Sequence, residues 1–198
     1  MKIAIDIGCA RYGGDFSIER LIEEFKPDKV YGFDPSQGQD EYPWGPHDPA
    51  GPTGPAKATS IFIEKKAAWT FDGWIGFHVA GLSGKITEGA PGVQCFDLAR
   101  FITEIYADNT VQPIAPDPSL TPEQYKTGPI LPEIILKVDA EGAEYELFEH
   151  LIETGAAHML SLVWVEWHPP GAKVNSRPDK RRESIESLLS CEVHQWNW

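Results

Sequence analysis

The chain has 198 residues, enough for one domain, spanning 1–198, that buries roughly 70% of its unfolded surface without disulfides or metals. Its 17 Lys and Arg stand against 30 Asp and Glu, a net charge of -13, and that sign opposes a polyanionic partner, so no nucleic acid is expected as a ligand. Cys9, Cys95 and Cys191 are odd in number and far apart, which argues against a disulfide framework or a cysteine zinc site and suits a reducing, cytoplasmic setting.

The opening "MKIAIDIG" has too few apolar residues for a signal peptide, and no later stretch approaches the ~20 apolar residues of a membrane span. No membrane association is expected. "KIAIDI" reads as a buried strand of a parallel sheet. After a glycine-containing turn, "DFSIERLIEEF" places Phe16, Ile18, Leu21, Ile22 and Phe25 on one helical stripe, with Asp15 at its start and Lys26-Pro27 at its end. "KVYGFD" is the second strand and closes on Asp34.

From about 37 to 57 the prolines at 43, 46, 49, 52 and 55 recur every third residue, which predicts polyproline II in a lid or edge loop and not a helix. "SIFIEKKAAW" reads as a third strand. "FDGWIGFHVAG" sets Ile75, Phe77 and Val79 in alternation after an Asp72-Gly73 turn, the pattern of a hairpin. "CFDLARFITEIY" returns to helical spacing, and a second Pro-rich connection covers about 108–132. "EIILKVDAEG" is the next strong strand, "GAEYELFEHLIETG" a helix stopped at Gly155, and "MLSLVWVEWHPP" another buried strand. A helix over roughly Asp179 to Ser190 and a short strand in "EVHQWNW" complete the chain.

Strands alternating with helices predict an α/β fold: a Rossmann-like open, mostly parallel sheet with helices on both faces and ligands at the carboxyl ends of its strands. Both Pro-rich segments are insertions into that sheet. Gly8, two residues after Asp6, would let a ligand approach the backbone. A G-x-G-x-x-G fingerprint needs glycine where Ala10 stands, and Asp15 at the helix start repels a pyrophosphate, so a dinucleotide fits poorly. S-adenosylmethionine carries no phosphate and its cationic sulfonium suits an acidic cleft. Asp34 is placed to accept both ribose hydroxyls, or simply to form a turn with Pro35.

The strongest cluster is "LKVDAEGAEYELFEHL" followed by "VWVEWHPP". Lys137 and Asp139 end one strand, Glu141 and Glu144 start a helix, and Glu166 and His168 end the next strand. In adjacent strands these tips would converge on one crevice and perturb one another's ionisation, a way to make a general base near neutral pH.

With "DIGCARYGG", "VYGFDP", "AAWTFDGWIGF", "ILKVDAEGAEYELFEHL" and "VEWH" in this order, the chain resembles the FkbM family of S-adenosylmethionine-dependent methyltransferases over about residues 3–168. The resemblance implies a class I methyltransferase fold and methylation of a hydroxyl on a sugar or other small molecule. It implies a cofactor pocket formed by Asp6, Gly8, Cys9, Gly13, Asp34, Ala68 and Asp139. Within it Asp6, Gly8 and Gly13 line the methionine end, Asp34 binds the ribose, Ala68 approaches the adenine and Asp139 lies beside the sulfonium. The family turn D-x-G-x-x-x-G departs here, because Tyr12 holds the last site and Gly13 comes one residue late. The proline insertion replaces a helix, and the chain ends about one strand short of a seven-stranded sheet. An uncovered sheet edge of that kind also suits a homo-oligomer.

The expected reaction is direct methyl transfer to an acceptor oxygen, with His168 as general base, oriented by Glu166 or Asp139, and with Glu141 and Lys137 in the catalytic cluster. No metal is assigned, although His168, Glu166 and Asp139 are ligand types that a divalent ion accepts. The basic run Lys173, Arg177, Lys180, Arg181 and Arg182 reads as a solvated helix start before it reads as an anion site. Two other readings stay open: a catalytically degenerate binding module on the same fold, and a Rossmann-type nucleotide or NAD enzyme.

Overall fold

The computed structural model describes residues 1–9, 17–36, 59–80, 83–86, 92–112, 128–169, 174 and 178–197. The expectations for Ala10, Tyr12, Gly13 and Asp15, for the 37–57 insertion, and for most of the 108–132 connection lie outside them.

Six strands form a parallel sheet: β1 (Lys2–Ile7), β2 (Lys29–Phe33), β3 (Ser60–Glu64), β8 (Glu133–Val138), β9 (Leu162–Val165) and β10 (Glu192–Gln195). Their order is β10-β9-β8-β1-β2-β3. The chain runs outward from β1 in one direction through β2 and β3, then returns to β8 on the other side of β1. That reversal makes the carboxyl ends of β1 and β8 the switch point where open α/β sheets hold ligands.

Alternation along each strand divides the core. Ile3, Ile5 and Ile7 of β1 and Ile134, Leu136 and Val138 of β8 face helices α2 (Leu98–Asn109), α3 (Glu144–Thr154) and α4 (Lys180–Leu188). Ala4 faces helix α1 (Ser17–Phe25), whose Ile18 and Leu21 are buried with Val30, Ile63 and Trp196. Helices therefore cover both faces, as the alternating sequence predicts. The same alternation turns Asp6 and Lys137 towards the α1 side, where Lys137 Nζ lies 5.6 Å from the centre of the Trp196 ring.

The helix ends follow local chemistry. Asp97 caps α2 by accepting from the amides of Ala99 and Arg100 at 2.9 and 3.1 Å, and Asp179 caps α4 through the Arg182 amide at 2.8 Å. Gly155 stops α3 at φ 79°, a left-handed conformation that glycine adopts without strain.

The middle of the chain departs from the expectation. "SIFIEKKAAW" is two strands, β3 and β4 (Ala67–Trp69), and "CFD" belongs to strand β7 (Gly92–Asp97), so α2 begins only at Leu98. The hairpin of β5 (Gly73–Ala80) and β6 (Ser83–Ile86) joins β4 and β7 in a separate four-stranded sheet, β4-β7-β5-β6. Local alternation identified β5 but neither β6 nor β7, and the hairpin expected at the Asp72-Gly73 turn is not formed: β4 pairs with β7, and β5 with β6 and β7, a pairing that periodicity does not report. Among the described residues no helix is long and apolar enough to cross a membrane.

Candidate active site

The switch point is built on a close backbone crossing. The Asp139 amide donates to the Ile7 carbonyl at 3.0 Å, and the Gly8 amide donates to the Phe33 carbonyl at 2.9 Å, so three strand tips are tied together. Gly8 has φ 76°, and a Cβ there would lie 1.8 Å from the Asp139 carbonyl oxygen. The structure gives glycine here a further reason: the β1 and β8 tips themselves approach too closely for a side chain.

Beneath this crossing lies a fully buried ion pair. Lys137 Nζ is 3.1 Å from Asp6 Oδ1 and 3.6 Å from Asp139 Oδ2, and it donates to the Gly8 carbonyl at 2.7 Å. Asp6 also accepts from the Ser17 hydroxyl at the start of α1. Burial pushes the Asp6 carboxyl up, against the opposing pull of Lys137 and Ser17. Burial pulls Lys137 down, but the Asp6 and Asp139 charges outweigh it and hold the amine above its ordinary range. Both side chains are 0% exposed. In this structure Lys137 and Asp6 face each other within the protein and fix the tips that carry Gly8 and Asp139.

The exposed side of the crossing is organised by Glu144, whose side chain is 0% exposed. After Asp139 the chain turns sharply, with Glu141 at φ 52° and Gly142 at φ 107°. Glu144 folds back over that turn and accepts from the amides of Ala140 at 2.8 Å and Gly142 at 3.1 Å. Its Oε1 is 3.0 Å from His168 Nδ1. Glu144 thus holds the Nδ1 side of His168, a partner the sequence did not suggest. The other ring nitrogen, Nε2, faces Glu141 Oε2 at 3.6 Å and Asp139 Oδ1 at 3.9 Å.

Burial works against the charged imidazolium, but the Glu144 hydrogen bond and the charges of Glu144, Asp139 and Glu141 prevail and raise the His168 pKa to about 9. Burial raises the Glu141 carboxyl, with His168 opposing. Because the folded pKa of His168 exceeds its ordinary 6.5, its ion pairing stabilises the fold fully below pH 6.5 and that contribution is lost as pH rises through about 9. In metal-free protein the stability gap between wild type and His168→Gln is expected to shrink across this window, and the His168 ring protons followed by NMR should titrate near 9. Titration near the ordinary value would refute the arrangement.

The remaining sequence candidates divide. Asp34 follows the β2 tip, 6% exposed, and its Oδ1 accepts from the Ser36 amide at 2.7 Å and from the Ser36 hydroxyl. The turn-forming role is therefore real, and it fixes the carboxyl beside the switch point. Cys9 is 2% exposed and packs with Ile18 and Val30 in the α1 cluster; burial first, then the Asp6 and Asp34 charges, push its thiol well up. Its side chain is a core group. Ala68, in β4, is buried in the main core with Phe96. Glu166 donates its amide to the Val138 carbonyl at 2.9 Å, and Asp139, Glu141 and Glu144 place carboxylates within 4 Å of His168.

Glu144 is the functional residue whose role the sequence left unread. As an acid at a helix start it looks like a group answering the helix dipole, and only the fold brings His168 above it. Of the basic run, Lys173 and Arg177 lie outside the described residues. Arg181 is pinned to Glu149 and Glu146 of α3 at 2.7 and 3.1 Å, so it docks α4 on α3.

Against models of protein families, curated proteins and solved structures, the chain finds no match.

Proposed function

We propose that this chain is an S-adenosylmethionine-dependent methyltransferase acting on a hydroxyl of a small molecule or sugar. The observation that carries the reading is the cluster of acids around His168 at the carboxyl end of the sheet. Asp139, Glu141 and Glu144 gather around His168 beyond the β8 tip, and Asp34 follows the β2 tip on the far side of β1. Such a cluster favours a sulfonium and disfavours the pyrophosphate of a dinucleotide. The sequence blocks that resemble the FkbM family carry these same residues.

In this reading Asp34, fixed by Ser36, accepts from ribose hydroxyls, and Asp139 and Glu141 hold the cationic end. The cofactor, when bound, supplies an electrophilic methyl group. His168 Nε2 faces the crevice and takes the acceptor proton once it is neutral. A second cation entering the crevice opposes the imidazolium charge and favours that neutral form. Positioning by the rigid strand tips supplies most of the acceleration.

The experiment is a methyl-transfer assay with labelled S-adenosylmethionine across hydroxylated acceptors, run from pH 6 to 10 beside a fluorescence titration with NADH. Transfer that rises with pH and falls by about 100-fold or more in His168→Gln supports the reading. NADH binding with no transfer overturns it. A binding module without turnover is the second reading, favoured because Lys137 is sealed and His168 is charged at neutral pH, so neither is a neutral base. Cofactor binding with no transfer to any acceptor selects it.

A further inference from the structure

We propose that Asp139, Glu141 and His168 form a site for one divalent cation of the manganese type. One oxygen of each carboxylate and Nε2 of the imidazole lie within 4.8 Å of one another. The 3.6 and 3.9 Å separations of Nε2 from Glu141 Oε2 and Asp139 Oδ1 are too long for hydrogen bonds. They match the roughly 3–4 Å between neighbouring ligand atoms that each sit about 2.0–2.2 Å from a shared ion.

The site is more than a gathering of acids, because each of two ligands is aimed by a fully buried partner. Glu144, 0% exposed, takes the Nδ1 side of His168 and leaves Nε2 directed at the two carboxylates. Lys137, also 0% exposed, lies 3.6 Å from Asp139 Oδ2 and leaves Oδ1 towards His168. A carboxylate behind a ligating imidazole and a cation behind a ligating carboxylate are the outer partners that fix metal ligands and set their basicity. Two carboxylates and one imidazole, with no thiolate among them, suit manganese, iron or magnesium in the divalent state and disfavour soft ions. The turn at Glu141 and Gly142 brings Glu141 across from His168 instead of continuing the strand direction. The inference rests on this geometry alone; an ion held here takes the Nε2 lone pair and the carboxylates that the methyl-transfer reading uses, so the ion and the sulfonium are alternative occupants of the same groups.

The test is titration of the full chain with Mn2+ in the absence of any cofactor, reading the free-ion signal by electron paramagnetic resonance. One saturable site per chain is expected, weakened at least about tenfold in His168→Ala and in Glu141→Gln, and about 10- to 100-fold in Glu144→Gln. Glu141 is 36% exposed, so its variant keeps the fold and remains informative if the buried Glu144 variant does not. Absence of a saturable site overturns the proposal. So does wild-type affinity retained in both His168→Ala and Glu141→Gln, which would trace the binding to the general negative charge of the chain.

Discussion

Lys137→Met is expected to destabilise the protein by about 3–5 kcal/mol at pH 8, the range for removing one partner of a buried ion pair. The change removes the charge 3.1 Å from Asp6 and leaves that fully buried carboxylate to Ser17. It also releases the donor that holds the Gly8 carbonyl at 2.7 Å. Asp6 then gains stability by taking up a proton, so the loss grows as pH rises and is smaller at pH 5. The double variant Asp6→Asn/Lys137→Met, which replaces the charges together, should recover a substantial part. Urea unfolding followed by circular dichroism measures all three proteins. A loss below about 1 kcal/mol at pH 8 would mean that the pair does not anchor the strand tips.

Gly8→Ala is expected to be as severe, for a steric reason. The added methyl would lie 1.8 Å from the Asp139 carbonyl oxygen and 3.0 Å from its carbonyl carbon, on a backbone at φ 76°. No rotamer relieves a Cβ, so the β1 and β8 tips must separate. A melting temperature lower by about 10 °C or more follows, since ~3–5 kcal/mol at 2–4 °C per kcal/mol is the scale for a chain of this size. Separation also carries Asp139 away from Lys137 and His168, so ligand binding at the crevice falls together with stability. A melting temperature within about 2 °C of wild type would contradict the close crossing.

The central sheet was legible because its strands are apolar throughout and bounded by charged or turn residues. "KIAIDI", "KVYGF" and "EIILKV" became β1, β2 and β8 at nearly the predicted bounds. Their shared polar ends also announced the crevice, since Asp6, Lys137 and Asp139 stand where buried runs stop. Among the described residues the central sheet has six strands. What stayed hidden is what only tertiary structure decides. β4 and β7 pair in parallel across more than twenty intervening residues, with the β5–β6 hairpin added beside them. On paper Glu166 and Asp139 were the candidates to orient His168, and Glu144 was not among them. The fold selected Glu144 because the turn at Glu141 and Gly142 folds it under the imidazole. Gly8 was rightly singled out, yet the neighbour that forbids its side chain is a backbone 131 positions away (139 minus 8).

The measurement that tests the central claim most directly is calorimetric titration of the intact protein with S-adenosylhomocysteine, repeated on Asp34→Ala. The account predicts saturable binding at one site per chain, weakened by at least about tenfold when the fixed carboxyl of Asp34 is removed, the scale of losing a hydrogen bond to a charged group. No heat of binding from the folded wild-type protein, or equal affinity in Asp34→Ala, would contradict a nucleoside held at the tips of β1 and β2.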